Sequence, residues 1–274
     1  MHSSKPPSAK IIMVTGSSSG IGRACCDQMA ADGRRRIYGA SRTATQSEHW
    51  THVKMDVTDE NSVRAAVTQV AQQEGRIDAI VHCAGVSLAG PVEDTSIDEA
   101  QRQLDTNFFG AMRVIRAVLP VMRLQASGRI IMIGSIGGLI GLPYLGYYSA
   151  SKFALDGLVE ALRTELAPFN IQATVVHPGD FNTSFGTNRT YCLNTNADSP
   201  YFSQFQKCVE FYGAAERTGG APAIIARKVE KLLLRKHLPV RVVVGSPLEI
   251  AGVWAKAFLP SLAFEYVFRK AHSP

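Results

Sequence analysis

Residues 10–22 read KIIMVTGSSSGIG, which is a short apolar strand followed at once by a glycine-rich turn and the start of a helix. Backbone N–H groups at a helix N-terminus bind a pyrophosphate when no side chain obstructs it, and glycine provides that room. The spacing G-x-x-x-G-x-G is one residue longer in its first interval than the commonest Rossmann fingerprint. A tight turn without a ligand is the alternative, but the place after a first strand favours a dinucleotide-binding turn. The predicted cofactor contacts here are Gly16, Ser18, Ser19, Gly20, Ile21 and Gly22.

Apolar runs and helical patterns alternate along the rest of the chain. The predicted strands are 10–15, 36–40, 52–55, 78–82, 129–133, 171–176 and 240–244, and the predicted helices are 21–32, 60–74, 97–123, 147–167 and 222–236. Short Val- and Ile-rich runs that alternate with helices are typical of a parallel sheet buried on both faces. The pattern predicts an α/β fold with a doubly wound parallel sheet, a Rossmann fold, as one domain over residues 10–274 after a flexible N-terminus at 1–9.

Composition and charge exclude several classes of protein. Hydrophobic residues make up 46% of the 274 residues and the 23 glycines show no regular period, so the chain is neither disordered nor fibrous. The net charge of +6 arises within residues 221–274, which contain nine Lys and Arg residues and three Glu residues. A solvated helix face is the ordinary explanation for such a segment, so no nucleic-acid partner is expected, while peripheral contact with an anionic membrane stays open.

Cysteine usage and the N-terminal sequence bear on location. The five cysteines are an odd number without a C-x-x-C pair, which argues against a disulfide framework and a zinc site, and no metal site is predicted. The first nine residues lack the apolar core of a secretory signal. The longest uncharged stretch, 130–151, contains five glycines and Pro143, so no transmembrane helix is predicted. These features favour a cytoplasmic protein with reduced thiols.

The end of the second strand predicts which dinucleotide binds. An acidic side chain there would hydrogen-bond the ribose of NAD, whereas an arginine attracts the 2′-phosphate of NADP. The chain reads GASRT over residues 39–43 and has no Asp or Glu until Glu48. Arg42, supported by the Ser41 hydroxyl, therefore favours NADP(H), and an exposed turn arginine is the alternative.

A tyrosine, a lysine and a serine form the candidate catalytic group. Tyr148 and Lys152 are four residues apart at the start of the predicted helix 147–167, and hence on one face of it. An ammonium group about 4 Å from the phenol would lower the pKa of Tyr148, so that the tyrosine exchanges a proton with a substrate oxygen during hydride transfer. Ser135 follows the strand 129–133 at the ligand-binding edge of the sheet, and its hydroxyl can point at the same oxygen.

These motifs, in this order, closely resemble the classical short-chain dehydrogenase/reductase family between residues 10 and 244. The residues that carry the resemblance are TGSSSGIG at 15–22, Asp56 with Val57, Asn107, Ser135, Tyr148 with Lys152, and Pro178 with Gly179 and Thr183. The segment GLIGLP at 138–143 and the sequence after it look like the estradiol and retinol dehydrogenases, a hydroxysteroid-dehydrogenase-like subgroup.

The resemblance implies roles for several of these residues. Asp56 would touch the adenine, and Asn107 would distort its helix and hold a water that links Lys152 to solvent. Members of the family are usually dimers or tetramers packed through the helices that contain Asn107 and Tyr148, which implies a homodimer or homotetramer. The further cofactor contacts expected are Val57, Ala84, Gly85, Pro178, Gly179, Phe181 and Thr183.

One motif departs from the family pattern. The family's Asn-Asn-Ala-Gly after the fourth strand is His82-Cys83-Ala84-Gly85 here, so both amide side chains are absent. Ala84 and Gly85 can still offer backbone groups to the cofactor ribose. His82 and Cys83 are interpreted as packing residues, and the change bears on the stability of the strand more than on catalysis.

Two segments lie outside the alternation of strands and helices. Residues 180–220 are too long for an ordinary loop and are predicted to form a substrate loop or lid, while a broken helical pattern at 247–271 is expected to pack on the core. The side chains predicted to form an apolar pocket, or else to pack the lid onto the sheet, are Leu142, Pro143, Phe181, Phe185, Tyr201, Phe202, Phe205, Phe211 and Tyr212. The predicted substrate contacts are Ser135, Leu142, Pro143, Tyr148 and Phe185.

These expectations favour an NADP(H)-dependent oxidoreductase that interconverts a ketone and a secondary alcohol on a lipophilic steroid-, terpenoid-, retinoid- or lipid-like molecule. A reductase of small generic carbonyls and a non-catalytic protein that senses NADP(H) are the alternatives. A sugar-nucleotide epimerase shares the Tyr-Lys pair, but nothing in the chain supplies its larger substrate domain. The presence of Asn107, Ser135, Tyr148 and Lys152 together argues against a sensor, because a sensor does not need a proton relay.

Overall fold

The computed structural model describes residues 9–272, so the predicted flexible N-terminus at 1–9 lies, apart from Ala9, outside the described residues. The strands in chain order are β1 (Lys10–Thr15), β2 (Arg35–Ser41), β3 (Thr51–Lys54), β4 (Ala79–His82), β5 (Leu88–Ala89), β6 (Gly128–Ile133), β7 (Ile171–Pro178), β8 (Thr190–Tyr191) and β9 (Arg241–Val244). The helices are α1 (Gly20–Ala30), α2 (Glu60–Glu74), α3 (Ile97–Leu104), α4 (Gly110–Leu124), α5 (Gly146–Glu165), α6 (Ser184–Thr187), α7 (Phe202–Thr218), α8 (Pro222–Leu233), α9 (Pro247–Phe258) and α10 (Ser261–His272).

Seven of these strands form one parallel sheet in the order β3-β2-β1-β4-β6-β7-β9. Side chains along β1 alternate between its two faces, as the pleat requires. Ile11 and Met13 pack into an apolar layer with α2, α4 and α5, while Ile12 and Val14 pack into a second layer with α1 and α8. The predicted doubly wound Rossmann fold is confirmed, and burial on both faces explains the uninterrupted apolar runs of the strands.

The carboxyl ends of the parallel strands lie along one edge of the sheet. Thr15 at the end of β1 is in register with Ala40 on one side and His82 on the other, and His82 is in register with Met132. Strand β7 ends at Pro178, next to Val244 of β9. Ligands of open α/β sheets bind in the crevice beyond this edge.

The predicted helix 97–123 is interrupted. Helix α3 ends at Leu104, a π-helical turn covers Asp105–Phe109, and α4 begins at Gly110. The turn carries Asn107 into the interior, where its side chain is fully buried. Such single π turns inside helices often occur at functional sites.

The segment 180–220 is not the open loop that the sequence indicated. It contains the 17-residue helix α7, whose buried residues Phe205, Cys208 and Tyr212 follow a helical spacing. The short strand β8 in the same segment pairs with β5. Half of the predicted lid is therefore a packed helix that forms a wall over the carboxyl edge.

The expectation that residues 247–271 pack on the core is wrong. They form α9 and α10, and Trp254, Phe258 and Leu262 are 59%, 77% and 81% exposed. Both helices follow β9, the edge strand of the sheet, and so extend past the core layers rather than into them. No helix within the described residues is long and apolar enough to cross a bilayer.

The carboxylate of Asp78, the residue before β4, is hydrogen-bonded to the start of β1. Asp78 accepts hydrogen bonds from the Ile11 N–H group at 2.8 Å, from Lys10 Nζ at 3.0 Å and from the Arg76 guanidinium. Burial raises the pKa of Asp78, but these hydrogen bonds outweigh burial and hold the pKa below its usual value. The ionised carboxylate therefore stabilises the sheet.

We expect Asp78→Asn to lower the free energy of unfolding by about 1.5–3 kcal/mol, because charge-assisted hydrogen bonds are lost. Since the folded pKa lies below the unfolded one, the wild type keeps this contribution above about pH 4 and loses it as the pH falls further. Urea denaturation at about pH 7 and about pH 3 measures both effects. The exposed Asp198→Asn is the matched control, and an equal stability of the two variants at neutral pH would contradict the role of Asp78.

Candidate active site

A cavity of about 1540 Å³ opens along the carboxyl edge of the sheet. Its floor is formed by residues at and just after the carboxyl ends of β1, β2, β4, β6 and β7. Its outer wall is formed by α7, α9 and α10. Every predicted cofactor contact lines this cavity, from Gly16 and the glycine turn to Thr183. Of the predicted substrate and catalytic residues, Ser135, Leu142, Tyr148, Lys152 and Phe185 line it, whereas Asn107 and Pro143 do not.

The glycine turn has the geometry of a phosphate cradle. Gly16 and Gly20 have φ angles of 68° and 54°, which residues with a side chain rarely adopt. A Cβ on Gly22 would lie 2.2 Å from the Gly16 carbonyl oxygen, so only glycine lets α1 approach the turn this closely. Ser19, at the N-cap of α1, makes no side-chain capping bond, and the N–H groups of the first turn stay available. These donors fit a pyrophosphate.

Arg42 lies at the end of the cavity next to the turn. It is exposed, and none of the described residues forms a hydrogen bond or salt bridge with its guanidinium. The Ser41 hydroxyl donates to the Thr43 carbonyl oxygen at 2.8 Å and lies 3.1 Å from His52 Nε2. Ser41 therefore shapes its own turn, while Arg42 is free to meet an anion.

Asp56 and Val57 follow β3 on the same side of the cavity. Burial raises the pKa of Asp56, but hydrogen bonds from the Thr58 N–H group and hydroxyl and the nearby charges of Arg42 and Arg113 outweigh burial and hold that pKa below its usual value. The carboxylate is thus ionised at neutral pH and accepts from its own turn.

Ser135, Tyr148 and Lys152 meet on the floor of the cavity. The Ser135 hydroxyl accepts a hydrogen bond from the Gly137 N–H group at 3.0 Å and lies close enough to the Tyr148 side chain to lower the pKa of the phenol. Lys152 Nζ donates to the Ile133 carbonyl oxygen at 2.9 Å and lies 5.8 Å from the centre of the Tyr148 ring. Two hydroxyl groups and an ammonium group are therefore presented to one point of the cavity.

Burial controls the protonation of this group. It raises the pKa of Tyr148 to about 12, although the nearby Ser135 hydroxyl acts in the opposite direction. It also lowers the pKa of Lys152 to about 8. In the chain by itself, desolvation of the phenol dominates the pKa of Tyr148 and the Ile133 carbonyl oxygen accepts from Lys152 Nζ, while a lowering of this pKa by Lys152 together with a bound nicotinamide remains a prediction.

Asn107 stands behind the catalytic group rather than in the cavity. Its Nδ2 donates to the Val86 carbonyl oxygen and to Ser151 Oγ, both at 3.0 Å, and its Oδ1 accepts from the Val86 N–H group at 2.8 Å. A Cβ on Gly85 would lie 3.2 Å from Asn107 Oδ1 and 3.6 Å from Lys152 Nζ. Asn107 thus fixes the segment after β4 against α5, and its role in holding a water remains a prediction.

The segment after β7 closes the floor opposite the glycine turn. A Cβ on Gly179 would lie 2.1 Å from Glu249 Oε1, so the Glu249 side chain of α9 packs directly on this glycine. Thr183 accepts a hydrogen bond from the Phe185 N–H group at 3.2 Å, and a Cβ on Gly20 would lie 3.4 Å from Thr183 Cβ. Phe181 borders the cavity while packing mainly in the apolar layer next to α8.

The apolar wall beside Tyr148 includes Leu142 and Phe185, and the rings of Tyr148 and Phe185 are 5.8 Å apart. Pro143, which was expected to contact substrate, is not among the residues that line the cavity. Its carbonyl oxygen accepts from the Tyr212 hydroxyl of α7 at 3.2 Å.

Only some of the aromatic side chains in and next to helix α7 line the cavity. Phe211 and Tyr212 line the cavity, whereas Tyr201, Phe202 and Phe205 do not, contrary to expectation. The Phe205 ring packs edge-on against Tyr144 and Tyr191. A helix can present only one of its faces to the cavity, and the alternative that these side chains pack the lid is correct for the buried Phe205.

Four charged residues of the cavity were missed by the sequence analysis. They are Asp180, Arg189, Glu216 and Glu249. Asp180 directly follows the Pro-Gly pair, and this position is the one signal that could have pointed to it. The other three come from separate segments, and no local pattern connects them.

His82 and Cys83 have different surroundings. Thr15 Oγ1 accepts from the Cys83 and Ala84 N–H groups, each at 3.2 Å, and is 3.0 Å from His82 Nδ1. Burial lowers the pKa of His82 to about 3, so this fully buried ring is neutral and acts in packing. Cys83 lines the cavity and contacts Cys25, so its interpretation as a packing residue is incomplete. Among the described residues, no group of three or more His, Cys, Asp or Glu is placed to hold a metal ion.

Comparisons with known proteins agree with this geometry. A 3-ketodihydrosphingosine reductase of Bacteroides thetaiotaomicron is 39% identical over 95% of this chain and 97% of its own. Retinol dehydrogenase 8 of Bos taurus is 32% identical over 85% of this chain and 80% of its own. The crystal structure of a short-chain dehydrogenase from Streptomyces avermitilis superposes with a TM-score of 0.82 at 29% identity, over 96% of this chain and 97% of its own.

The family model described as short chain dehydrogenase matches residues 10–191, which is more than half of the chain. The predicted resemblance, including that to the retinol dehydrogenases, is confirmed. With the glycine turn and the Ser-Tyr-Lys group at the places that the match covers, the chain belongs to the short chain dehydrogenase family of oxidoreductases.

Proposed function

We propose that the protein is an NADP(H)-dependent oxidoreductase that interconverts a ketone and a secondary alcohol on a lipophilic substrate. The observation that carries the proposal is the grouping of Ser135, Tyr148 and Lys152 in one cavity, beside the apolar side chains of Leu142 and Phe185. The cavity of about 1540 Å³ is larger than an ordinary ligand pocket of roughly 300–1,000 Å³, and so has room for a dinucleotide beside a second molecule.

In the direction of reduction, Tyr148 donates a proton to the carbonyl oxygen. Its pKa of about 12 keeps the phenol protonated at neutral pH, as a proton donor requires. The Ser135 hydroxyl donates a hydrogen bond to the same oxygen and holds it beside the phenol. Lys152, with a pKa of about 8, is mostly protonated at neutral pH, and its charge stabilises the phenolate that remains. NADPH, when bound, supplies the hydride for the carbonyl carbon.

The choice of NADP(H) rests on Arg42. Its guanidinium has no hydrogen-bonding partner among the described residues and stands beside the cavity next to the glycine turn. Arginine forms strong charge-assisted hydrogen bonds with phosphate, and no acidic side chain follows β2 to hold a ribose hydroxyl.

The names of two relatives and the apolar lining of the cavity favour a lipid as the substrate. One relative is named for 3-ketodihydrosphingosine and another for retinol. Phe264, Val267 and Phe268 of α10 line the outer part of the cavity, which gives a long apolar tail a surface to lie on. Small generic carbonyls do not require this surface.

The exposed apolar side chains support proposals on partners. Phe109 and Phe153, 49% and 41% exposed, lie beside α4 and on α5, the helices expected to pair in a homodimer or homotetramer. The apolar and basic helices α9 and α10 suit peripheral contact with an anionic membrane.

We place the protein in the cytoplasm, where its five cysteines stay reduced.

Tyr148→Phe is expected to lower kcat for NADPH-dependent ketone reduction by about 100- to 10,000-fold, because the proton donor is removed. The affinity for NADPH, measured by fluorescence titration, should stay within about threefold, since the remaining cradle is intact. Tyr147→Phe, one residue away and outside the cavity lining, is the matched control and should keep its activity. Residual activity of the Tyr148 variant above about a tenth of the wild type would refute the assignment.

A panel of 3-ketodihydrosphingosine, retinal, steroid ketones and short-chain ketones tests the substrate class with the same assay. We expect turnover of the lipids and little turnover of the short ketones. Equal turnover throughout would indicate a generic carbonyl reductase, and tight NADPH binding without any turnover would indicate a sensor.

Arg42→Asp is expected to weaken NADPH binding by about 10- to 100-fold and NADH binding much less, because it removes charge-assisted hydrogen bonds to the 2′-phosphate and adds repulsion. Isothermal titration with both cofactors measures the difference. Arg34→Asp, which removes an arginine with an 83% exposed side chain, controls for the change in net charge. An equal loss for both cofactors would show that Arg42 only shapes its turn.

A further inference from the structure

The wall of the cavity near Tyr148 contains Arg189 and Glu216, whose opposite charges neutralise each other. The Arg189 side chain is only 3% exposed and forms a salt bridge with Glu216, and its Nε donates to Ser87 Oγ at 3.3 Å. Both charges influence the pKa of Tyr148. Because Arg189 and Glu216 satisfy each other, neither is left to bind a charged ligand.

Asp180 lies in the same wall and has no such partner. Its N–H group donates to Glu249 Oε1 at 2.6 Å, and its carbonyl oxygen accepts from the Gly220 N–H group at 3.1 Å. The backbone is therefore held from both sides, so the side chain starts from a fixed position. No group within the described residues 9–272 donates a hydrogen bond to its carboxylate, which lines the cavity.

Glu249 does not compete with Asp180 for a ligand. Its carboxylate accepts from the Asp180 N–H group and, at 2.6 Å, from the Ser246 N–H group at the N-cap of α9. Glu249 thus supports the position of Asp180 and adds negative charge beside it. This part of the cavity thus contains three carboxylates, those of Asp180, Glu216 and Glu249, and the guanidinium of Arg189.

Asp180 is close to the reacting centre. Its charge contributes to raising the pKa of the Tyr148 phenol, as does that of Glu216. Asp180 and Tyr148 also line the same cavity, so a group bound by Asp180 lies in the space that the Tyr148 phenol faces. A partly buried carboxylate without a donor is costly, and a cation that supplies donors removes that cost.

We propose that Asp180 binds an ammonium group next to the reacting carbonyl, so that the substrate is a lipid that carries an amino ketone. The inference rests on the proposed function and specifies its substrate. Glu216 and Glu249 would add to the negative potential at the ammonium group. One relative is named for 3-ketodihydrosphingosine, which has an amino group on the carbon beside its ketone.

The test compares three ketones with the same long chain. They are 3-ketodihydrosphingosine, its N-acetyl derivative and the ketone without nitrogen. We expect the wild type to prefer the free amine, and Asp180→Asn to lower kcat/KM for it by about 10- to 100-fold while changing kcat/KM for the two neutral ketones less than about threefold. Asp180→Glu, which retains the charge, should recover part of the loss. Asp198→Asn removes an exposed carboxylate from the same segment and should behave as the wild type.

A pH profile gives a second readout. Burial, Glu249 of α9 and Glu216 of α7 raise the pKa of Asp180 to about 6, while Arg189 acts against them. The carboxylate is ionised above that pH and protonated below it. For the amine substrate, kcat/KM of the wild type should therefore fall as the pH decreases through about 6, whereas the ketone without nitrogen should not show this fall.

Two outcomes would overturn the inference and leave the proposed function intact. Reduction of all three ketones with equal losses in Asp180→Asn would mean that Asp180 does not distinguish the ammonium group. A loss of NADP⁺ affinity that matches the loss in kcat/KM would mean that Asp180 serves the cofactor. If the folded wild type binds NADPH but reduces none of the ketones, the proposed function itself fails, and the inference fails with it.

Discussion

The shared direction of the seven strands is the constraint on which the site depends. Parallel strands require a crossover between neighbours, and each crossover returns the chain to the same starting edge. All carboxyl ends therefore lie at the opposite edge, where β1 runs into the glycine turn, β6 into Ser135 and β7 into Pro178. Residues more than a hundred positions apart in sequence form the floor of one cavity because the turns after these strands all open at this edge.

Burial influences the pKa values of the titratable groups in that cavity more than the neighbouring charges do. It favours the neutral form of each group, raising the pKa of Tyr148 and Asp180 and lowering that of Lys152. Tyr148 is therefore a protonated donor at neutral pH, whereas Lys152 titrates unusually close to neutrality. Groups with such perturbed values concentrate at functional sites, and here they line one cavity.

The outer wall adds properties that the nucleotide-binding core does not have. Helices α9 and α10 line the cavity with Phe264, Val267 and Phe268 and expose Trp254 and Phe258 to solvent. The same pair of helices thus carries apolar surface both inside the cavity and outside the protein.

The sequence by itself determined the order of strands and helices, the glycine turn and the Tyr148-Lys152 pair, because each is a local pattern with a fixed spacing. It did not reveal α7, since the aromatic and polar residues of 180–220 were assigned to a loop rather than to a helix with one buried face. Only the tertiary structure brought Asp180, Arg189 and Glu216 together and left Pro143 out of the cavity lining. It also decided the direction of the pKa shift of Tyr148, because desolvation depends on the distant segments that cover the ring, and no spacing along the chain encodes them.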